Sequence, residues 1–129
     1  MTRDDWLELT VLERKKYNYL AEVQDLTRQL AESLDRNDQV SARMLVAMRQ
    51  DPIRQAVEVD RGAKTRLAAL GDEAWERVQE LRGGGTPQDD GEKIFLEQAG
   101  KTHRLLEQVV DLDRRVSVRM AGEQSFYHK

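Results

Sequence analysis

The chain has 129 residues and a formal net charge of −3; 35% of its residues are charged, 39% are hydrophobic and only 5% are aromatic. The slight negative charge and the interspersed signs argue against generic nucleic-acid binding, and the absence of cysteine excludes disulfides and thiolate metal sites. The low apolar and aromatic share favours long helices with narrow buried stripes over a sheet protein.

The first predicted element is a helix over about residues 4–35, which Asp4 or Asp5 can cap. Its apolar residues recur at intervals of three or four, with one longer gap, and so form one face: Trp6, Leu9, Leu12, Tyr19, Val23, Leu26, Leu30 and Leu34. Lys16 interrupts this stripe, and we expect its stem to lie along it with the ammonium group in water. Asn37 and Asp38 predict a short reversal before the next helix.

A second helix is predicted over about residues 38–70, with a kink near Pro52, because proline donates no hydrogen bond and crowds the preceding turn. Its buried stripe is predicted to comprise Val40, Met44, Ala47, Met48, Ile53, Ala56, Val57, Ala63, Leu67 and Leu70. Gly71 then predicts a stop and Asp72 a restart, which gives a short helix over about residues 72–82. Residues 83–91, which begin with three glycines, are predicted to be a flexible linker.

A third long helix is predicted over about residues 92–121, ended by Gly122 and followed by a tail over residues 122–129. Thr102 and Asp113 interrupt an apolar stripe that otherwise comprises Phe95, Ala99, Leu105, Leu106, Val109, Leu112, Val116 and Met120. Such a stripe needs a cover, either from this chain or from a partner helix. The predicted fold is a single all-α domain, an antiparallel bundle of three long helices with a short extra helix before the linker.

Few residues indicate catalysis or metal binding. Gly100-Lys101-Thr102 resembles the end of a phosphate-binding loop, but the pattern lacks its first glycine and a preceding strand. His103 and His128 have no second ligand at helical spacing. We therefore predict no cofactor, no metal and no enzymatic activity. The longest apolar run, Met44 to Met48, is too short for a membrane span, and the polar N-terminus carries no signal core, so a cytoplasmic protein is expected.

Three stretches resemble the FlgN-type flagellar export chaperones. The first is Leu30 to Asp38, a leucine-spaced helix broken by Asn-Asp before a second helix. The second is Ile53 to Gly71, which looks like that family's middle helix and its exit. The third is Met120 to Tyr127, where a glycine, a few polar residues and a tyrosine close the chain.

The resemblance implies a cytoplasmic type III export chaperone. Such chaperones bind the C-terminal helical segments of hook–filament junction proteins, keep them from assembling early and deliver them to the export gate. Carried over by position, the partner-binding residues are Leu105, Leu106, Val109, Leu112, Val116, Met120, Phe126 and Tyr127. The amphipathic pattern leaves two alternatives open: a structural coiled coil buried in a homodimer or larger oligomer, and a helical regulatory adaptor for another partner.

Overall fold

The structure is a computed structural model that describes the backbone of residues 1–127 and the side chains of residues 1–122. Its helices are α1 (Arg3–Asp35), α2 (Gln39–Met48), α3 (Gln50–Leu70), α4 (Asp72–Arg82) and α5 (Asp90–Tyr127). Residues 1–127 include no strand, which confirms the all-α prediction. Within the same residues, no helix combines the length and the apolar character that a bilayer crossing requires.

Helix α1 begins at a capping box. The Asp5 N–H donates to Oγ1 of Thr2 over 3.1 Å, and the Thr2 N–H donates to the Asp5 carboxylate over 2.8 Å. This backbone hydrogen bond from Thr2 lowers the pKa of Asp5. The cap is therefore Thr2, and the predicted cap residue Asp5 supplies the other half of the box.

The predicted second helix is two helices, because α2 ends at Met48 and α3 begins at Gln50. The break lies one turn before Pro52, and proline explains that position. Its ring crowds the carbonyl group four residues earlier, which belongs to Met48. The predicted kink is therefore displaced from Pro52 to Arg49.

Helix α3 runs antiparallel to α1. Arg66 contacts Glu8 with 3.0 Å between Nε and Oε2, and Asp60 lies 2.9 Å from Nζ of Lys16, so residue numbers fall along α3 as they rise along α1. Helix α5 runs parallel to α1, since the Trp6 and Phe95 ring centroids lie 5.3 Å apart near one end and Asp35 pairs with Arg119 near the other.

Helix α1 is the centre of this arrangement, because α2, α3 and α5 all pack on it. Within the described residues, no Cα atom of α3 comes within 8 Å of a Cα atom of α5. Three apolar clusters follow α1 from its start to its end. The first surrounds Trp6 and Phe95, the second surrounds Leu20 and Val109, and the third surrounds Leu30 and Val116.

The prediction that the apolar stripe of α2 is buried is wrong. Its side chains point to solvent, as does that of Val57 in α3; the exposed set in α2 is Val40, Met44, Ala47 and Met48. A second face, formed by Ala42, Leu45 and Arg49, is buried instead. Positions 42, 45 and 49 also follow helical spacing, and the contacts of Arg49 described below turn this face inward.

Helix α5 does not end at the predicted glycine. It continues through Gly122 to Tyr127, and its first residue is Asp90. A glycine stops a helix by adopting a left-handed conformation, but the described residues with positive φ are Asn37, Gly71 and Gly84. The side chains of Phe126 and Tyr127 lie outside the described residues, as do His128 and Lys129 altogether.

Candidate helix-binding groove

The described residues of the predicted partner-binding stripe on α5 lie in the core. Leu105, Val109 and Val116 are buried, whereas Leu106, Leu112 and Met120 are half-buried. They pack against apolar side chains of α1, α2 and α3. The chain itself therefore covers this stripe.

Both polar residues in the stripe have partners. The buried hydroxyl of Thr102 donates to the carbonyl of Gln98 over 3.0 Å and lies 3.3 Å from the carbonyl of Glu13 in α1. The triplet that ends at Thr102 thus lies inside a helix, with no strand before it. His103 is exposed and pairs with Glu107, with 2.8 Å between Nε2 and Oε1.

Asp113, the second interruption, accepts a hydrogen bond from the buried Arg49 at the α2–α3 break. Arg49 also donates to Oγ1 of Thr27 in α1 over 3.3 Å. Its Nε has no hydrogen-bond partner among the described residues. Arg49 therefore links three helices, and the sequence reading, which followed apolar residues alone, missed it.

A cleft of about 580 Å³ adjoins the stripe. Side chains of α1, α3, α4 and α5 line it. All four helices contribute apolar side chains: Leu9, Ala63, Leu67, Trp75, Val78, Phe95 and Leu106. This volume lies within the range of about 300–1,000 Å³ that is usual for ligand-binding clefts.

One charged pair closes the α4 side of the cleft. The buried carboxylate of Glu13 accepts a hydrogen bond from Nη2 of Arg82 over 2.8 Å. The Arg82 guanidinium carbon also lies 5.6 Å from the centroid of the Phe95 ring, a distance typical of a cation–π contact. The carboxylate is thus neutralised by a cation that stays on the cleft surface.

A second charged group lines the α3 side. Asp60 lies 2.9 Å from Nζ of Lys16 and 3.0 Å from Nζ of Lys64. Burial raises the pKa of Asp60, but the hydrogen bonds from the two ammonium groups outweigh it and the pKa is lowered overall. Because two cations share one carboxylate, this side of the cleft carries a net positive charge.

Helix α4 already fills part of the space between α3 and α5. It packs Ala74, Val78 and Leu81 onto the cluster around Trp6 and Phe95 and approaches both α3 and α5. Trp75 remains 40% exposed and lines the cleft beside it. The surface around Trp6 and Phe95 thus binds one amphipathic helix of this chain, α4. The adjoining cleft is likewise lined by both apolar and charged side chains.

The predicted linker is tied at both ends. Residues 83–89 lie between α4 and α5, and Arg77 donates to the carbonyl of Thr86 over 3.0 Å. Arg77 also forms two hydrogen bonds of 2.7 Å with the carboxylate of the buried Glu92. Glu92 in turn accepts from the N–H of Gln88 over 2.7 Å. These contacts, which we call the Arg77–Glu92 clamp, hold the start of α5 against α4.

Comparisons with protein-family models, curated proteins and solved structures found no match to the chain. The function is therefore inferred from the chain's own residues. Of the described residues that were predicted to bind a partner, Leu106 alone lines the cleft. Sequence reasoning had assigned Leu67 and Phe95 to buried stripes and did not single out Trp75 as a binding residue. The signal in the sequence that pointed to this cleft was Lys16, which interrupts the stripe of α1.

Proposed function

We propose that the chain is a non-enzymatic helix-binding protein, and specifically a chaperone of the FlgN-type flagellar export class. The observation that carries the helix-binding proposal is the cleft between α3 and α5, which is lined by apolar residues of four helices. The three stretches that resemble the export chaperones supply the class. The proposed cargo is the C-terminal helix of a hook–filament junction protein, held in the cytoplasm and delivered to the export gate.

Such a helix fits the chemistry of the cleft. An amphipathic helix binds a groove through apolar side chains at positions i, i+3 or i+4, and i+7. Trp75, which is 40% exposed, and the half-buried Leu106 offer apolar contacts for them. The two lysines around Asp60 favour a carboxylate on the flank of the incoming helix.

In this proposal α5 stays in place while cargo binds. The rest of its stripe contacts α1, and the Arg77–Glu92 clamp holds its start, so release of α5 requires breaking both sets of contacts. Leu106 then contributes directly to the binding surface. Phe126 and Tyr127, at the end of α5, remain proposed additional contacts.

Titration calorimetry of the full chain against C-terminal fragments of hook–filament junction proteins from the same organism tests the proposal. We expect one-to-one binding, weakened by about 1–2 kcal/mol in Trp75→Ala and in Leu106→Ala if these residues act as hot spots. Val118→Ala, which removes an exposed side chain on another part of α5, is the matched control and should bind as the parent does. Thermal unfolding of each variant separates lost binding from lost folding.

Two results would replace this proposal. An absence of binding heat together with a stable homo-oligomer in light scattering would favour the structural coiled coil. Failure of the junction fragments to bind, with specific cleft-dependent binding of a different helical protein, would favour the regulatory adaptor.

A further inference from the structure

The outer surface of α2 carries an apolar strip that no other part of the described chain covers. Val40, Met44 and Met48 lie on successive turns and are 74%, 57% and 50% exposed. We call this strip the methionine face. A shallow cleft of about 270 Å³ between α2 and α1 adjoins it and is lined by Met44, Met48 and the buried Leu45.

The chemistry of the strip suits a protein partner. Apolar side chains gathered on one face of a charged protein mark interaction surfaces more often than single exposed residues do. Methionine is flexible and polarizable, and it adapts to the shape of the surface that packs on it. A helix laid along α2 would cover side chains spaced by one turn, which matches helix-in-groove recognition.

The charges around the strip indicate what kind of helix fits. Arg43, the one charged residue within α2, is exposed and forms no ion pair with any residue the structure describes. The neighbouring carboxylates are already engaged: Asp38 accepts hydrogen bonds from the N–H and hydroxyl of Ser41, and Asp51 pairs with Arg54. The charge that α2 itself contributes to the strip is therefore positive, whereas Glu32 and Arg36 together border the cleft on the α1 side.

A second copy of this chain does not supply the missing charge through the same face. Helix α2 includes no acidic residue between Gln39 and Met48, so a symmetric contact would add another Arg43 and no carboxylate on the strip. Such a contact is not complementary in charge. The observations favour a different protein.

We propose that the methionine face binds an amphipathic partner helix that carries an acidic residue beside its apolar stripe, next to Arg43. This surface is separate from the cleft between α3 and α5 and does not depend on the function proposed for that cleft. The partner helix packs its apolar stripe on Val40, Met44 and Met48, and its carboxylate pairs with Arg43.

The test uses two synthetic 18-residue amphipathic helical peptides, each with a fluorescent label and the same leucine stripe. One carries glutamates on its flanks and the other carries lysines in their place. Fluorescence anisotropy of each peptide with the full chain should show tighter binding of the glutamate peptide. The double variant Met44→Gln plus Met48→Gln should weaken that binding at least about tenfold, because it removes apolar contact area from exposed positions.

The charge-swap variant Arg43→Glu sharpens the test. It should weaken binding of the glutamate peptide about fivefold or more and strengthen binding of the lysine peptide. Val118→Gln, which alters an exposed valine on α5, is the matched control and should change neither affinity. Trp75→Ala, which alters the cleft between α3 and α5, separates the two surfaces. Peptide binding that Trp75→Ala weakens and that Met44→Gln plus Met48→Gln leaves unchanged would belong to that cleft and would overturn this inference.

Three further outcomes would overturn the inference. The first is equal binding of the two peptides, or no effect of Arg43→Glu. The second is no binding of either peptide at concentrations up to about 100 μM, a range that covers weak peptide recognition. The third is a dimer of the parent chain in sedimentation that Met44→Gln plus Met48→Gln dissociates, which would make a second copy the occupant.

Discussion

Two apolar stripes of the same helical spacing differ in burial in this protein. The stripe of α5, which includes Leu105, Val109 and Val116, is buried against the other helices. The methionine face of α2 stands in solvent. The difference shows that periodicity identifies an apolar face, whereas tertiary contacts decide whether that face is covered.

The neighbours of each stripe explain the difference. Helix α5 runs along the length of α1, and the two polar residues in its stripe find partners across the interface, Thr102 with the Glu13 carbonyl and Asp113 with Arg49. Helix α2 spans ten residues and ends at the break before Pro52. Arg49 is bonded to Thr27 and Asp113, and this orients α2 so that Ala42 and Leu45 face inward.

The largest expected effect is on the buried stripe. Leu105→Ala should lower the free energy of unfolding by about 2–4 kcal/mol, because it removes a buried side chain and leaves a cavity. Urea denaturation followed by circular dichroism measures the change. Val110→Ala, which alters a 47% exposed position on the same helix, should cost less than about 1 kcal/mol. Equal effects of the two substitutions would contradict the burial of this stripe.

The second prediction concerns the Arg77–Glu92 clamp that holds α5 on its neighbours. Glu92→Gln should lower the free energy of unfolding at pH 7 by about 1.5–3 kcal/mol, because the charged carboxylate accepts hydrogen bonds from Arg77 and Gln88. Glu97→Gln, which alters an exposed residue of the same helix, is the matched control and should have little effect.

The same pair predicts a pH dependence. Hydrogen bonds from Arg77 lower the pKa of Glu92 below its ordinary value of 4.5, although burial opposes them. A carboxyl whose pKa is lower in the folded state stabilises the fold above its unfolded pKa and loses this contribution as pH falls through the folded pKa. The stability difference between parent and Glu92→Gln should therefore be constant at neutral pH and shrink as pH falls below 4.5. A difference that does not change with pH would contradict the clamp.

Much of the fold could be predicted from local sequence signals, namely the spacing of apolar residues and the turn residues between helices. Apolar spacing gives long helices, and the Asn37-Asp38 turn and the Gly71 stop lie where the helices end. The helix breaks at Arg49 and not at Pro52, where the kink was predicted, because the proline ring crowds the carbonyl group four residues earlier. The continuation of α5 past Gly122 was missed because a glycine that keeps helical backbone angles does not end a helix, and Gly122 is not among the described residues with positive φ.

The candidate sites are harder to predict because they depend on which helices meet. Trp75 and Leu106 are 31 positions apart in the sequence and share a cleft only after side chains of α4 pack into the cluster around Trp6 and Phe95. The methionine face was misassigned because α2 carries two faces with helical spacing, and the choice between them rests on Arg49, a charged residue. Patterns of apolar residues carry no information about such a contact.

A smaller effect is expected at an exposed position outside both stripes. Gly62 lies inside α3, and a Cβ atom added there would meet nothing within 4 Å. Gly62→Ala should raise the free energy of unfolding by about 0.5–1 kcal/mol, because alanine restricts the unfolded chain and favours helix. Gly71→Ala is the contrasting variant, since Gly71 has a φ of 105° and the substitution there should be destabilising. A loss of stability in Gly62→Ala would indicate contacts at that position.

The smallest expected effect is at the methionine face, and it completes the comparison of the two stripes. Met44→Gln plus Met48→Gln should change the free energy of unfolding by less than about 0.5 kcal/mol each, because both side chains are already half-exposed or more. Urea denaturation at several protein concentrations measures it. A loss as large as that of Leu105→Ala would mean that this face is covered in solution. A neutral result, combined with loss of peptide binding in the same variant, would assign the methionines to recognition, since folding alone gives no reason to place three large apolar side chains on successive exposed turns.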